Sequence, residues 1–221
     1  MTDVIAIDGP SGAGKSTVAR GVAAELGVSV LDTGAMYRAV TLAVLEAGVD
    51  PTDGAAAAGV ARRARIDQRG RTTQLDGRDV SPEIRGPDVT AAVSTVSAHP
   101  AVRSVLVERQ RAWADAAGGG VVEGRDIGTV VFPDAAVKAF LTASEEERAR
   151  RRHEEATGPD GTTVDAVRAA IDRRDRLDST RAVSPLVAAP DALQIDTTHR
   201  PVEDVVREIV DAHRAKTGAP R

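Results

Sequence analysis

Apolar residues fall along this chain in two alternating rhythms: short unbroken runs, and longer stretches spaced at three and four. Val4 to Ile7 is an unbroken run, the mark of a strand buried on both faces. Val18, Val22 and Leu26 then share one face of a helix that starts near Lys15 and stops at Gly27. Residues 28–34, VSVLDTG, read as a second strand passing into a helix with Met36, Val40 and Val44 on its buried face and Gly48 at its end. Strand–helix–strand–helix is the order of a parallel sheet with helices on both faces. Three more strands follow: one in AGGGVVEGRD after a glycine turn, one in AVKAFLTA (136–143) and one in ALQID (192–196). The last helix begins at Pro201, with Val202, Val205, Val206, Ile209 and Val210 as its buried stripe, and the TGAPR tail frays.

Residues 62–85 break the rhythm. RRARIDQRGRTTQLDGRDVSPEIR is polar and turn-rich, and Asp76-Gly77 is a hairpin signal, so short antiparallel strands in an inserted subdomain are expected. From Val89 to Trp113 a helical pattern returns, interrupted before Pro100. SEEERARRRHEEA reads as a helix with a capping box, Ser144 and Glu147. After the TGPDGTT turn a second helix follows, with Thr162 and Asp165 as its box.

Composition narrows the function classes. The 221 residues suit one sizeable domain, and 42% apolar with 28% charged residues is ordinary for a globular chain. Absence of cysteine excludes disulfides and zinc–thiolate sites. The four histidines, His99, His153, His199 and His213, show no metal-ligand spacing. A net charge of −4 and only four aromatic residues give no reason to expect a nucleic-acid partner. No apolar run approaches the roughly 20 residues of a membrane span, and MTDVIAIDGP lacks the features of a signal peptide. The chain reads as cytoplasmic, with no membrane partner, and as a monomer. Cations are lopsided, with three lysines (Lys15, Lys138, Lys216) among the 29 basic residues. Codon bias in a GC-rich genome explains such an excess of arginine, and it makes a lysine within a glycine-rich loop conspicuous.

That loop is AIDGPSGAGKSTVA, residues 6–19. Gly9, four residues, Gly14, Lys15 and Ser16 match the phosphate-binding loop, in the required context of buried strand before and helix after. Phosphate is held best by converging backbone N–H groups at a helix N-terminus, which side chains would obstruct. Gly9, Pro10, Ser11, Gly12, Ala13, Gly14, Lys15, Ser16 and Thr17 are therefore the candidate ATP site. Lys15 would face the β- and γ-phosphates, and the Ser16 hydroxyl is a candidate magnesium ligand.

A second feature is a helix whose buried stripe turns ionic. Val164, Val167 and Ile171 are followed on the same face by Arg174, Asp178 and Arg181. Charges at core-facing positions are costly unless paired or facing a polar cavity. The alternatives are a structural ion cluster, a helix that has already ended, or the wall of a pocket for an anionic, hydroxyl-bearing ligand. On the preceding helix Arg148, Arg151 and Arg152 share one face. Two capped helices around the turn at 157–162 look like a lid able to swing arginine forks over phosphates.

Taken together, IDGPSGAGKST, LDTGAMYR, DVSPEIR, EGRDIGTVVFPDA and RDRLDSTRAVSPL resemble the bacterial cytidylate kinases, from about Val4 to Asp196. The resemblance implies an α/β fold: a P-loop, adenylate-kinase-like core with a five-stranded parallel sheet, a nucleoside-monophosphate-binding insert and a short helical lid. One kinase domain would span 1–221, with core at about 1–60, 86–143 and 186–221, insert at 62–85 and lid at 144–185. It implies magnesium-dependent phosphoryl transfer from ATP to CMP or dCMP. By the same resemblance Arg38 and Arg125 clamp the acceptor phosphate, and Arg103 and Asp126 face cytosine with Thr33 and Arg181 nearby. Ser94, Arg174 and Asp178 contact the sugar. Asp32 and Glu123 hold magnesium-bound water. Lys15, Arg148, Arg151 and Arg152 stabilise the moving phosphoryl group. Thr33 and Glu123 stand where some members have Ser and Asp, which conserves the chemistry.

The cytosine assignment also has a physical basis. A carboxylate accepts from the N4 amine while arginine donates to N3 and O2, and uracil would set O4 against that carboxylate. The remaining readings are a kinase of the same fold acting on UMP, AMP or shikimate, and a non-enzymatic ATP-binding switch or assembly subunit.

Overall fold

A computed structural model describes residues 3–155, 164–181 and 183–218, with side chains at 155, 164–167, 170, 172 and 174 outside the described residues. The chain divides into two compact units, one made of Met1–Val30 with Ala117–Arg221 and the other of Leu31–Ala116.

The first unit is built on a sheet. Its strands are β1 (Asp3–Asp8), β2 (Val30–Asp32, running on into the second unit), β6 (Gly119–Gly124), β7 (Val137–Thr142) and β8 (Leu193–Asp196). Their order is β2-β6-β1-β7-β8, and β1 pairs in parallel with β6 and β7, as β7 does with β8. The five strands expected from the apolar runs are thus present, with the first strand at the centre. That placement explains why Val4 to Ile7 carries no polar alternation: all four residues are buried. Helices α1 (Lys15–Leu26) and α8 (Val202–Thr217) cover the sheet through Val18, Val22, Val205 and Ile209, packed with Ile5, Ile7, Leu141 and Ile195. Each such side chain contributes roughly 1.5–3 kcal/mol by leaving water. Val202, expected in the buried stripe of α8, is 39% exposed. It is the first residue of the helix, where the chain enters from Pro201 and has not yet turned its face to the sheet.

Helix α6 (Glu145–Glu155) packs on α7 (Val164–Thr180). At the start of α6 the Ser144 hydroxyl accepts the Glu147 backbone N–H at 3.2 Å. The Glu147 carboxylate, instead of closing the box, takes Arg150 at 2.7 Å and Arg151 at 2.7 Å. The Thr162–Asp165 capping box and the turn at 157–162 lie outside the described residues.

The second unit holds α2 (Thr33–Glu46), α3 (Gly54–Arg63), α4 (Pro87–Ala98), α5 (Pro100–Ala117) and a three-stranded sheet. The sheet, β3 (Ile66–Arg69), β4 (Thr72–Leu75) and β5 (Arg78–Asp79), is antiparallel and occupies the polar segment where short strands were expected. Asp76 and Gly77 both have positive φ (52° and 87°), the mirror-image turn that Asp-Gly favours. Helix α3 was not expected. Its Asp53 carboxylate caps the Ala55 and Ala56 N–H groups, and buried Ala57, Ala58 and Ala61 are too small to mark an apolar stripe.

Candidate active site

The first unit carries the glycine loop between β1 and α1. Gly9 has φ 147°, and a Cβ there would lie 2.1 Å from the Leu141 carbonyl oxygen. Gly12 has φ 78°, and its Cβ would meet the Arg148 backbone at 2.7 Å. The missing side chains thus let the loop lie flat against β7 and α6. A hollow of about 310 Å³ beside it is lined by Gly12, Gly14, Thr17, Arg151 and Glu154. Lys15 folds back along the loop, its ammonium donating to the Pro10 carbonyl at 2.7 Å.

Ser16 donates its hydroxyl to the Glu123 carboxylate at 2.8 Å. The two expected magnesium-binding groups of this unit therefore meet, one at the start of α1 and one on β6. They are hard oxygen donors, and one carboxylate beside a hydroxyl suits magnesium, which takes its other ligands from water and phosphate.

At the end of β6 a cluster of ions is buried. The Arg125 Nε lies 3.2 Å from Asp178, and Arg181 lies 3.7 Å from Asp178 and 3.8 Å from Asp126. Asp126 and Asp178 are 4% and 5% exposed. Asp178 on α7 and Arg181, one residue past its end, are thus enclosed and paired, so the reading in which these charges sit in water fails for both. Ile171, which precedes them on the stripe, is buried as expected. The Arg174 side chain lies outside the described residues.

The arginines of α6 are placed individually. Arg148 is buried and donates to the Ser11 carbonyl at 3.2 Å and to Asp175. Arg151 donates to the Thr197 hydroxyl at 3.0 Å and the Thr197 carbonyl at 2.7 Å. Arg152 is half-buried on α6. The Arg150 guanidinium, with Arg151 beside it, holds the Glu147 carboxyl down at about 2 against an opposing effect of burial.

The second unit holds the rest. Asp32 caps α2 by accepting the Ala35 N–H at 2.9 Å, and Thr33 begins that helix, buried. Arg38 is buried on α2 and donates to the Ile84 carbonyl at 2.9 Å and the Thr90 hydroxyl at 3.0 Å. Ser94 is half-buried on α4. Arg103, on α5, donates to the Ser97 carbonyl at 3.3 Å, with its guanidinium 5.3 Å from the Tyr37 ring centroid.

A family model described as cytidylate kinase matches residues 5–215. The chain belongs to the cytidylate kinase family. A cytidylate kinase of Mycobacterium leprae (strain Br4923) is 54% identical over 222 residues, covering 99% of each chain. Cytidylate kinases of Limosilactobacillus reuteri (strain DSM 20016) and Pelotomaculum thermopropionicum (strain DSM 13744 / JCM 10971 / SI) are 52% and 55% identical. They cover 93% of this chain, and it covers 92% and 93% of theirs. A solved structure of an uncharacterized protein from Eubacterium ventriosum ATCC 27560 superposes with TM-score 0.53 at 12% identity, covering 96% of this chain and 99% of that one. At that identity the likeness is one of fold alone.

Within this cytidylate kinase frame, four residues escaped the reading of the sequence. Asp8, 5% exposed at the end of β1, accepts the backbone N–H groups of Ile127 at 2.8 Å and Gly128 at 2.7 Å. Burial pushes its carboxyl up to about 6, opposed by those two N–H groups. Asp126 nearby adds to the rise and Lys15 opposes it. Asp8 thereby sets the backbone next to Asp126. Asp175 joins Ser11, Arg125 and Arg148. Thr197 donates to the Ala13 carbonyl at 3.1 Å and the Thr142 carbonyl at 2.9 Å while receiving Arg151. In the second unit the Gln68 amide pairs with the Asp32 backbone as a strand would, accepting from its N–H at 3.0 Å and donating to its C=O at 2.7 Å. Only Asp175 had a sequence signal: it lies four residues after Ile171 and three before Asp178, within the width of the stripe.

Proposed function

We propose that this chain transfers the γ-phosphoryl group of ATP to CMP or dCMP, giving ADP and CDP or dCDP. The observation that carries the acceptor assignment is the buried cluster of Arg125, Asp126, Asp178 and Arg181. Alternating guanidinium and carboxylate groups, shielded from water, suit a ligand that is anionic at one end and bears an amine donor at the other. Asp126 accepts from the cytosine N4 amine, Arg125 takes the acceptor phosphate, and Asp178 takes the ribose with Arg174. In the second unit Arg38 takes part in phosphate binding, Arg103 and Thr33 in base recognition, and Ser94 in sugar binding. Residues 62–85 serve as the acceptor-binding insert and 144–185 as the lid.

The donor side rests on the loop from Gly9 to Thr17, with Lys15 facing the phosphates. Magnesium, when bound, supplies charge neutralisation at the phosphate oxygens. Ser16 would hold it directly and Glu123 through bound water, and Asp32, in the second unit, is assigned a role through water. Phosphoryl transfer calls for positioning in line and neutralised charge, and the acceptor phosphate is already a competent nucleophile, so no general base is assigned. Arg148, Arg151 and Arg152 neutralise the moving group, and lid closure excludes water from it.

A coupled ADP-release assay over CMP, dCMP, UMP, AMP and shikimate tests the assignment. Turnover with CMP and dCMP well above the others is expected. Equal turnover of UMP and CMP would overturn the cytosine reading, and ATP binding without CMP binding would favour a non-enzymatic switch.

A further inference from the structure

Asp175 lies on α7 with its side chain 15% exposed. One carboxylate oxygen accepts the Ser11 backbone N–H at 3.1 Å and an Arg125 N–H at 3.1 Å. The other accepts from Arg148. Both guanidinium groups also donate to loop carbonyls, Arg125 to Gly9 at 3.1 Å and Arg148 to Ser11 at 3.2 Å. One nitrogen from each of two guanidinium groups and an amide of the glycine loop, converging on two oxygens that share one negative charge, form a donor set suited to a phosphoryl group.

We infer that Asp175 stands in for a phosphoryl group in the ligand-free chain. It is a positioning residue: it holds Arg125, Arg148 and the loop at phosphate-binding spacing, and nucleotide phosphate displaces it from these donors. The inference rests on the reading of the loop as a nucleotide-phosphate site. Its physical content is a competition. One set of N–H groups cannot serve two anions, so phosphate binding includes loss of the Asp175 contacts, and its apparent affinity is reduced accordingly. In return the largely enclosed Arg148 guanidinium keeps a carboxylate partner when no ligand is present, while Arg125 has Asp178 as a second one.

The test is Asp175→Asn, which keeps the size of the side chain and removes its charge, with inorganic tripolyphosphate as probe in calorimetric titrations of the full chain. The Kd for tripolyphosphate is expected to fall about tenfold, because the amide competes less well than the carboxylate for charged donors. The ligand-free Tm falls, and the rise in Tm on saturation exceeds that of the parent. A merely structural carboxylate would leave Kd unchanged and lower both Tm values alike. Binding by the parent with equal or weaker binding by Asp175→Asn would overturn this inference alone. Failure of the parent to bind tripolyphosphate would overturn the kinase reading and this inference with it. If the variant does not fold, carboxyl-carbon NMR of the parent decides: the Asp175 resonance is expected to shift in step with the Ser11 amide during the titration. A Ser11 amide that saturates while the Asp175 resonance stays in place would overturn the inference.

Discussion

Replacing Asp8 by Asn changes a buried anion into a neutral group of the same shape, and the consequence depends on pH. The Asp8 carboxylate is raised from 3.8 to about 6, chiefly by burial. The folded chain therefore binds this proton more tightly than the unfolded chain does. Between pH 3.8 and about 6 the folded state holds more protons, so the contribution of Asp8 to stability falls as pH rises through that window. At about 1.4 kcal/mol for each tenfold change in proton affinity, the interval amounts to about 3 kcal/mol. Asn does not titrate, so the variant escapes this loss. It does lose one of two acceptors, since a single amide oxygen faces the N–H groups of Ile127 and Gly128, a cost of about 1–3 kcal/mol. Near pH 4, where protonated Asp8 resembles the amide, Asp8→Asn should be no more stable than the parent. By pH 7 it should have gained about 3 kcal/mol relative to the parent. Urea unfolding of both proteins at half-unit steps from pH 4 to 7.5 measures this difference directly. A stability difference that stays constant across the range would refute the account of Asp8 as a strained buried charge.

Lys15→Ala should lower ATP-dependent turnover by about 10²-fold or more while leaving the circular dichroism spectrum unchanged, as expected for loss of one preorganised charge at the phosphates; near-parental turnover would refute the loop assignment. Asp126→Ala should erode the preference for CMP over UMP, because the proposed role sets its carboxylate against O4 of uracil, acceptor against acceptor, a mismatch that discriminates by roughly 10⁴; kcat/KM for both acceptors reads the change. Thr197→Val removes the hydroxyl that links Arg151 to the Ala13 and Thr142 carbonyls and should cost about 1–3 kcal/mol, a fall of several degrees in Tm. Thr197→Ser should restore most of that loss.

Much of the local architecture was legible. The glycine loop, the five strands of the large sheet, the Asp76-Gly77 hairpin and the helix boundaries at Gly27 and Gly48 all follow from apolar spacing and turn chemistry. So does the change of the α7 face from Ile171 to Asp178. Helix α3 was not legible, because alanines show no contrast between a buried face and an exposed one. Val202 was misread because periodicity does not say where along a helix contact with the sheet begins.

What the sequence determined by itself is the set of local conformations and the chemical inventory: backbone preferences act over a few residues, and a phosphate loop needs its glycines in order. What only the tertiary structure decided is which charge meets which donor. Asp175 reaches Ser11 across 164 residues of chain, and Asp8 reaches Ile127 across 119. Such pairings arise because parallel strands and their crossovers bring distant segments side by side. A side chain's role there depends on enclosure and neighbours, which no spacing along the chain encodes.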